Sequence, residues 1–322
     1  MLITIVLAIG IGLINYESIF SAYYFSQANR PGNFDKKTIL FQRSINYKVS
    51  KANSKAFASL ILSESKINSV KAENVLISNR NLLNDDVFKN SYFDVQSGKA
   101  NSLIINHKYK EAAEAYATCS KYGISIVNNN NTEYINALSK YAKSLVDTTN
   151  LNAEDTSHYY TVGDLDNDGL LEIVVFEKKL SFSSGIYTSN NIKLFKCVNS
   201  KYSLIGSLKS EAEYCINIKI SKAKDNIDGV FVSGGIGAHS GIQSLYIIKD
   251  GKLVSALEED IKSLYPSDIK DVDGDKRVEL SSLETDPNDM NSSNADSDKI
   301  VTWFKWDGKS GLNAVKIEQL TQ

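Results

Sequence analysis

Two short stretches carry carboxylates at a spacing that suits a hard cation. Asp164, Asp166 and Asp168 stand at positions 1, 3 and 5 of the first, with Gly169 at position 6 and Glu172 at position 9; Asp271, Asp273, Asp275 and Glu279 repeat the spacing in the second. Alternate residues of a tight loop converge on one point, and carboxylates brought together repel unless a cation lies between them. The backbone carbonyls of Leu170 and Arg277, at position 7, extend an all-oxygen donor set that suits Ca²⁺ over Zn²⁺ and offers more ligands than Mg²⁺ favours. Structural calcium in both loops is therefore expected. Gly169 permits the positive φ that such a turn needs. The second loop has Lys276 there, where a positive φ is unfavourable and an adjacent ammonium lowers cation affinity. Position 12 is Val175 in one loop and Ser282 in the other, so neither is an EF-hand, which requires glutamate there. A solvated Asp-rich turn is the plain alternative, and two registered copies weigh against it.

The elements around the loops repeat as well. After the first loop come the β-rich run Glu172-Ile173-Val174-Val175-Phe176, a Ser/Gly loop, the run Ile192–Lys196, a turn at Asn199-Ser200 and the run Tyr202–Ile205. The second loop is followed in the same order by Glu279–Leu283, a polar loop, Ile300–Trp306, Asp307-Gly308 and Leu312–Val315. Between them lies a copy without the acidic loop: Val230-Phe231-Val232, the glycine-rich Gly234–His239, Leu245–Ile248, Asp250-Gly251 and Leu253-Val254. Asp-Gly between alternating runs is a hairpin signal, and the turns at Asn199, Asp250 and Asp307 recur every fifty-odd residues, a period in the range of propeller blades. Small sheets of this kind cannot bury both faces alone and must pack side by side. Three are too few to close an ordinary ring.

The stretch Val162-Gly163-Asp164-Leu165-Asp166-Asn167-Asp168-Gly169, with an acidic residue at position 9 leading into a β run, resembles the FG-GAP and VCBS repeats. The resemblance covers both loops and the roughly 160 residues around them. It implies propeller-like blades, calcium held in hairpin loops, and a role in extracellular adhesion or recognition of a protein or glycan.

The first half reads differently. From Asn33 to about Asp147 the apolar residues recur at helical spacing with few glycines and no proline. Phe57, Leu60, Ile61, Ile67 and Val75 suggest one long polar helix; Tyr109, Ala112, Ala113 and Tyr116 a second; Tyr134, Ile135, Leu138, Tyr141, Ala142 and Leu145 a third, with Thr132 as its N-cap after the Asn128–Asn131 run. His107–Tyr116 resembles the second half of a tetratricopeptide unit, but no second copy recurs at the required period, and an ordinary amphipathic helix in a bundle is the plainer reading. The expected fold is thus α+β and multidomain: a helical domain over residues 30–150, then an all-β, partly propeller-like domain of about three units over 158–320.

Met1–Ile14 is almost wholly apolar, shorter than the roughly 20 residues of a spanning helix, and lacks a basic residue before Arg30. Its length fits a signal-peptide core, or an anchor if the helix runs on to Phe25. Residues 1–25 are accordingly read as a signal peptide or membrane anchor, placing the chain outside the cell or in the envelope, as a bacterial surface protein. A net charge of −2 offers no argument for nucleic acid. Cys119, Cys197 and Cys215 form no CxxC pair, so neither zinc nor a redox motif is expected; they read as isolated thiols, with a Cys197–Cys215 bridge as the alternative.

Ser233-Gly234-Gly235-Ile236-Gly237-Ala238-His239-Ser240-Gly241 lacks the lysine of a phosphate-binding loop, and Ser240 beside His239 has no further support as a nucleophile. A flexible interstrand loop is expected. The leading expectation is an exported, calcium-stabilised binding or adhesion protein rather than an enzyme. A secreted hydrolase, or its accessory module, is the alternative.

Overall fold

The computed structural model describes residues 16–126, 132–146, 157–180, 187–237, 240–265, 267–287 and 297–320. The chain divides into two compact units, Met1–Ile124 and Ser125–Gln322. Helices fill the first and three antiparallel sheets the second, an α+β arrangement. Among the described residues no sheet closes on itself.

Residues 16–28 form helix α1, followed by α2 (Phe34–Tyr47), α3 (Lys51–Ser65), α4 (Ser69–Ser78), α5 (Asp85–Ile105) and α6 (Tyr109–Ala117). Small polar caps start four of them. The side chains of Asn33, Ser50, Asn68 and Asn84 accept from the backbone N–H of Lys36, Asn53, Lys71 and Asp86, satisfying donors that the helix leaves open. The core of this unit comprises Phe41, Ile45, Phe57, Ile61, Leu76, Phe88, Tyr92, Val95 and Tyr116, all buried. The single long helix expected from Phe57 to Val75 is in fact two. The Asn68 cap begins α4, and Ile67, counted above in the apolar stripe, is 84% exposed in the break. Helix α1 packs on α2 through Phe20 stacked on Tyr47 and through buried Ser21, which shares a hydrogen bond with Ser44. No helix of the described residues is long and apolar enough to cross a membrane; residues 1–15 lie outside them.

The second unit opens with α7 (Thr132–Leu145), which the sequence grouped with the other helices. Its aromatic residues explain the difference. Tyr134 and Tyr141 face the first sheet, where Tyr141 meets Phe195 and Tyr202 edge-on and the Tyr134 hydroxyl lies 2.6 Å from that of Tyr202. The Asn128–Asn131 loop falls outside the described residues, and Thr132 is the first residue of α7.

The first sheet is the meander β1 (Tyr160–Gly163), β2 (Glu172–Leu180), β3 (Tyr187–Val198) and β4 (Lys201–Lys209). The second has β5 (Tyr214–Lys224), β6 (Ile227–Ile236), β7 (Ser240–Lys249) and β8 (Lys252–Ser255), with β9 (Ile261–Ser263) also pairing β7. The third has β10 (Leu280–Thr285), β11 (Lys299–Trp306) and β12 (Leu312–Leu320), and a bridge between Lys270 and Glu279 stands where a first strand would be. All three repeat one up-and-down order. The turns at Asn199-Ser200 and Asp250-Gly251 have two consecutive positive φ values each, the twist that two-residue hairpins require. At Asp307-Gly308 the connection is longer: Asp307 N–H donates to the carbonyl of Gly311, and the strand resumes only at Leu312.

A further expectation is overturned. Ser233, Gly234, Gly235 and Ile236 are not a flexible loop but the end of β6, paired with Ser240–Gln243 of β7. These glycines are required by what covers them. A Cβ on Gly234 would stand 2.5 Å from the carbonyl oxygen of Tyr214, and one on Gly235 would enter the Tyr214 ring. Ser233 Oγ donates to the carbonyl of Ser267 and is buried; His239 lies outside the described residues. Phe231, Leu245, Leu257, Val278, Leu280 and Trp306 form part of a core shared by the second and third sheets.

Candidate metal centres

Each acidic loop joins the first strand, or bridge, of its sheet to the next strand, and the ladder fixes where it begins and ends. Gly163 pairs with Glu172 across β1 and β2, and Lys270 pairs with Glu279 in the third sheet. Inside each loop the backbone turns left-handed at positions 4 and 6: Asn167 (φ 59°) and Gly169 (φ 83°) in the first, Gly274 (φ 82°) and Lys276 (φ 71°) in the second. Lys276 thus adopts the conformation expected to disfavour it. Two loops that differ in residue types share one backbone path.

Backbone donors hold the acids in place. Glu172 is fully buried, and its Oε2 accepts from Leu165 N–H at 2.8 Å; Glu279, also fully buried, accepts from Val272 N–H at 2.7 Å. Asp164 accepts from Gly169 N–H at 3.0 Å, while Asp271 accepts from Gly274 N–H at 2.6 Å and Lys276 N–H at 2.8 Å. In the second loop Asp271, Asp273, Asp275 and Glu279 each bring an oxygen within 4.8 Å of the others. In the first, Asp164, Asp166 and Glu172 do so, and Asp168 stands outside that set. Both clusters can hold a metal ion. The amides of Leu170 and Arg277 point at the position-5 aspartates, Asp168 and Asp275, at 2.8 and 2.9 Å.

The residue that sequence reasoning missed is a lysine in each site. Lys196 extends from β3 and forms ion pairs with Asp166 and with Asp168 (2.8 Å), its Nζ 3.8 Å from Glu172 Oε1. Lys305 extends from β11 and lies 2.5 Å from Asp273, 2.6 Å from Asp275 and 3.3 Å from Glu279 Oε1. Since Ile173 pairs with Phe195 and Leu280 with Phe304, one further antiparallel step puts each lysine opposite the position-9 glutamate. The sequence held a signal, the Phe-Lys dipeptide at the same place in both units.

One ammonium does not satisfy four carboxylates. Asp164 Oδ1 and Glu172 Oε1 are buried without a hydrogen-bond partner. Burial, with the neighbouring Asp166 and Asp168 charges adding to it, pushes the Glu172 carboxyl up to about 8, and burial also raises Asp164 and Glu279. Burial opposes charge on Lys196 and Lys305, but their carboxylate partners outweigh it and hold both pKa values raised. A buried carboxylate oxygen without a hydrogen bond is a group that a bound cation would satisfy.

The two loops flank one hairpin of the middle sheet. Asn167 donates to Asp228 at 3.2 Å, and Arg277 forms an ion pair with Asp225, both acceptors lying at the β5–β6 turn. Tyr134, Tyr202 and Leu171 brace the first loop's exit: Tyr202 donates to the Leu171 carbonyl at 2.8 Å, one residue before Glu172. Cys119, Cys197 and Cys215 are buried thiols outside any disulfide, so the Cys197–Cys215 bridge is not formed.

No protein-family model matches the chain, and no curated protein or solved structure is matched by it.

Proposed function

We propose that the second unit is a calcium-stabilised recognition module of an exported, surface-associated protein, built from three units of FG-GAP/VCBS type and binding a protein or glycan rather than catalysing a reaction. The observation that carries this reading is the pair of acidic loops with the same backbone path, the same ladder position and the same buried glutamate. An all-oxygen donor set, with three converging carboxylates in the first loop and four in the second, favours calcium among divalent cations. The ion's part is structural: it neutralises buried carboxylates at the root of two sheets and thereby fixes the hairpins that present the connecting loops. Such loops, on a rigid repeat scaffold, are where recognition is usually found. Export is supported by the apolar run Met1–Ile14.

The test is a melting experiment on the full chain in chelator and in millimolar calcium, joined to a protein and glycan array probed under the same two conditions. The reading expects a rise in the melting temperature with calcium, about 1.4 kcal/mol per site at tenfold excess over the dissociation constant, and array signals that depend on calcium. Identical melting in both conditions contradicts it.

A further inference from the structure

We propose that Lys196 and Lys305 are tethered competitors of the metal: each ammonium occupies its acidic loop until a divalent cation displaces it, and so sets the concentration at which the loop fills. The inference depends on the cation-site reading above.

The geometry makes the two occupants exclusive. Calcium binds oxygen at about 2.3–2.6 Å. Lys305 Nζ already stands 2.5 and 2.6 Å from Asp273 and Asp275, so an ion engaging both oxygens needs the volume that the ammonium fills. In the first loop Lys196 is in direct contact with Asp166 and Asp168. Neither lysine is a chance surface pair, because both are largely buried, at 19% and 14% exposure, and both stand opposite the position-9 glutamate. Two loops with different sequences carry the same arrangement.

The lysine is also an incomplete substitute, which is what makes it displaceable. It leaves Asp164 Oδ1 and Glu172 Oε1 without hydrogen bonds, whereas Asp164, Asp166 and Glu172 each bring an oxygen within 4.8 Å of the others, where one ion would serve all three. The flexible four-carbon stem allows the ammonium to swing out to water while its strand stays paired. A ligand whose competent state is only fractionally populated binds more weakly by that fraction. A loop filled by its own lysine about nine-tenths of the time therefore takes calcium about tenfold more weakly than the same loop without it. The result is a threshold raised towards the millimolar calcium that extracellular modules meet.

The experiment is calcium titration by calorimetry of the full chain, with Lys305→Gln read in an Asp164→Asn background and Lys196→Gln in an Asp271→Asn background. Removing any positive charge strengthens cation binding slightly, so Lys270→Gln and Lys193→Gln serve as controls, because their ammonium groups pair with Asp268 and Glu177 beside the loops rather than with the loop carboxylates. The lysine variants are expected to tighten binding by about tenfold or more, the controls by less than about threefold, the order of one exposed charge pair. A second readout needs no variant: calcium should raise amine-ester labelling of Lys196 and Lys305 in the wild-type chain several-fold and leave Lys193 unchanged. If calcium binds while the variants match their controls and labelling stays constant, the competitor role is overturned and the cation site stands. If calcium binds neither wild type nor variants, both readings fall. Binding that appears only in the lysine variants supports the competitor and removes calcium from the wild-type protein's function.

Discussion

Lys305 Nζ stands 3.3 Å from Oε1 of Glu279, a carboxylate with no exposure to water, and the ladder between β10 and β11 puts the two residues opposite each other. Lys196 and Glu172 stand in the same relation across β2 and β3, with Nζ and Oε1 3.8 Å apart. A buried glutamate held by one backbone N–H and approached by one ammonium is costly to keep charged, and that cost is what a divalent cation relieves.

The cost makes the chelated protein sensitive to pH. Glu172 has its carboxyl raised from 4.5 to about 8, first by burial and then by Asp166 and Asp168. A raised carboxyl means that the native state binds the proton more tightly than the unfolded chain, so its contribution is fully present below about 4.5 and is lost as pH rises through about 8. Asp275 is shifted the other way by Lys305, below 3.8, outside that window. Calorimetric melting in chelator should therefore fall between pH 6 and pH 9 by at least ~3 °C, the effect of ~1 kcal/mol in a domain of this size. A melting temperature that rises over that interval would remove the costly buried carboxylate from the account.

Tyr202→Phe tests the brace behind the first loop. The Tyr202 hydroxyl donates to the Leu171 carbonyl at 2.8 Å and lies 2.6 Å from the Tyr134 hydroxyl, all in buried surroundings. Deleting it strands polar groups that have no access to water, at a cost of about 1–3 kcal/mol. Urea unfolding should show a lower midpoint with an unchanged slope; a wild-type midpoint would mean that the tyrosine pair holds nothing.

Gly234→Ala tests the strand at the end of β6. The new methyl would stand 2.5 Å from the Tyr214 carbonyl oxygen and 2.7 Å from the Ala212 side chain, and strand β5 would have to move. A loss of about 1–3 kcal/mol is expected, read as a lower melting temperature. A flexible loop in that place would accept alanine without loss.

The thiols should be silent in the native protein. Burial pushes Cys119 and Cys215 up to about 12, and the thiolate is the reactive form. Iodoacetamide at pH 8 should leave the folded chain unmodified and alkylate three cysteines after unfolding. Prompt alkylation of either residue under native conditions would contradict this burial.

Most of the frame was legible because its signals are local. Position 6 of the first loop demanded glycine, Asn199 and Asp250 marked two-residue turns, and alternation located β2, β3, β7 and β11. What escaped depended on contacts far apart in sequence. Gly234 and Gly235 look like a loop until Tyr214 is laid across them. The break at Ile67 follows from a cap at Asn68 rather than from any loss of apolar period. Helix α7 reads like its predecessors, and only Tyr202 and Phe195 reveal which unit it joins. The two lysines were visible as letters, but their meaning needed the ladder register that sets each beside its glutamate.

The account depends most on whether the loops take up calcium, and equilibrium dialysis of the full chain against millimolar calcium counts the ions directly. Two ions per chain are predicted, falling to one in Glu279→Gln. A chain that retains no calcium at millimolar concentration would contradict the account, and so would one whose bound calcium is unchanged in Glu279→Gln.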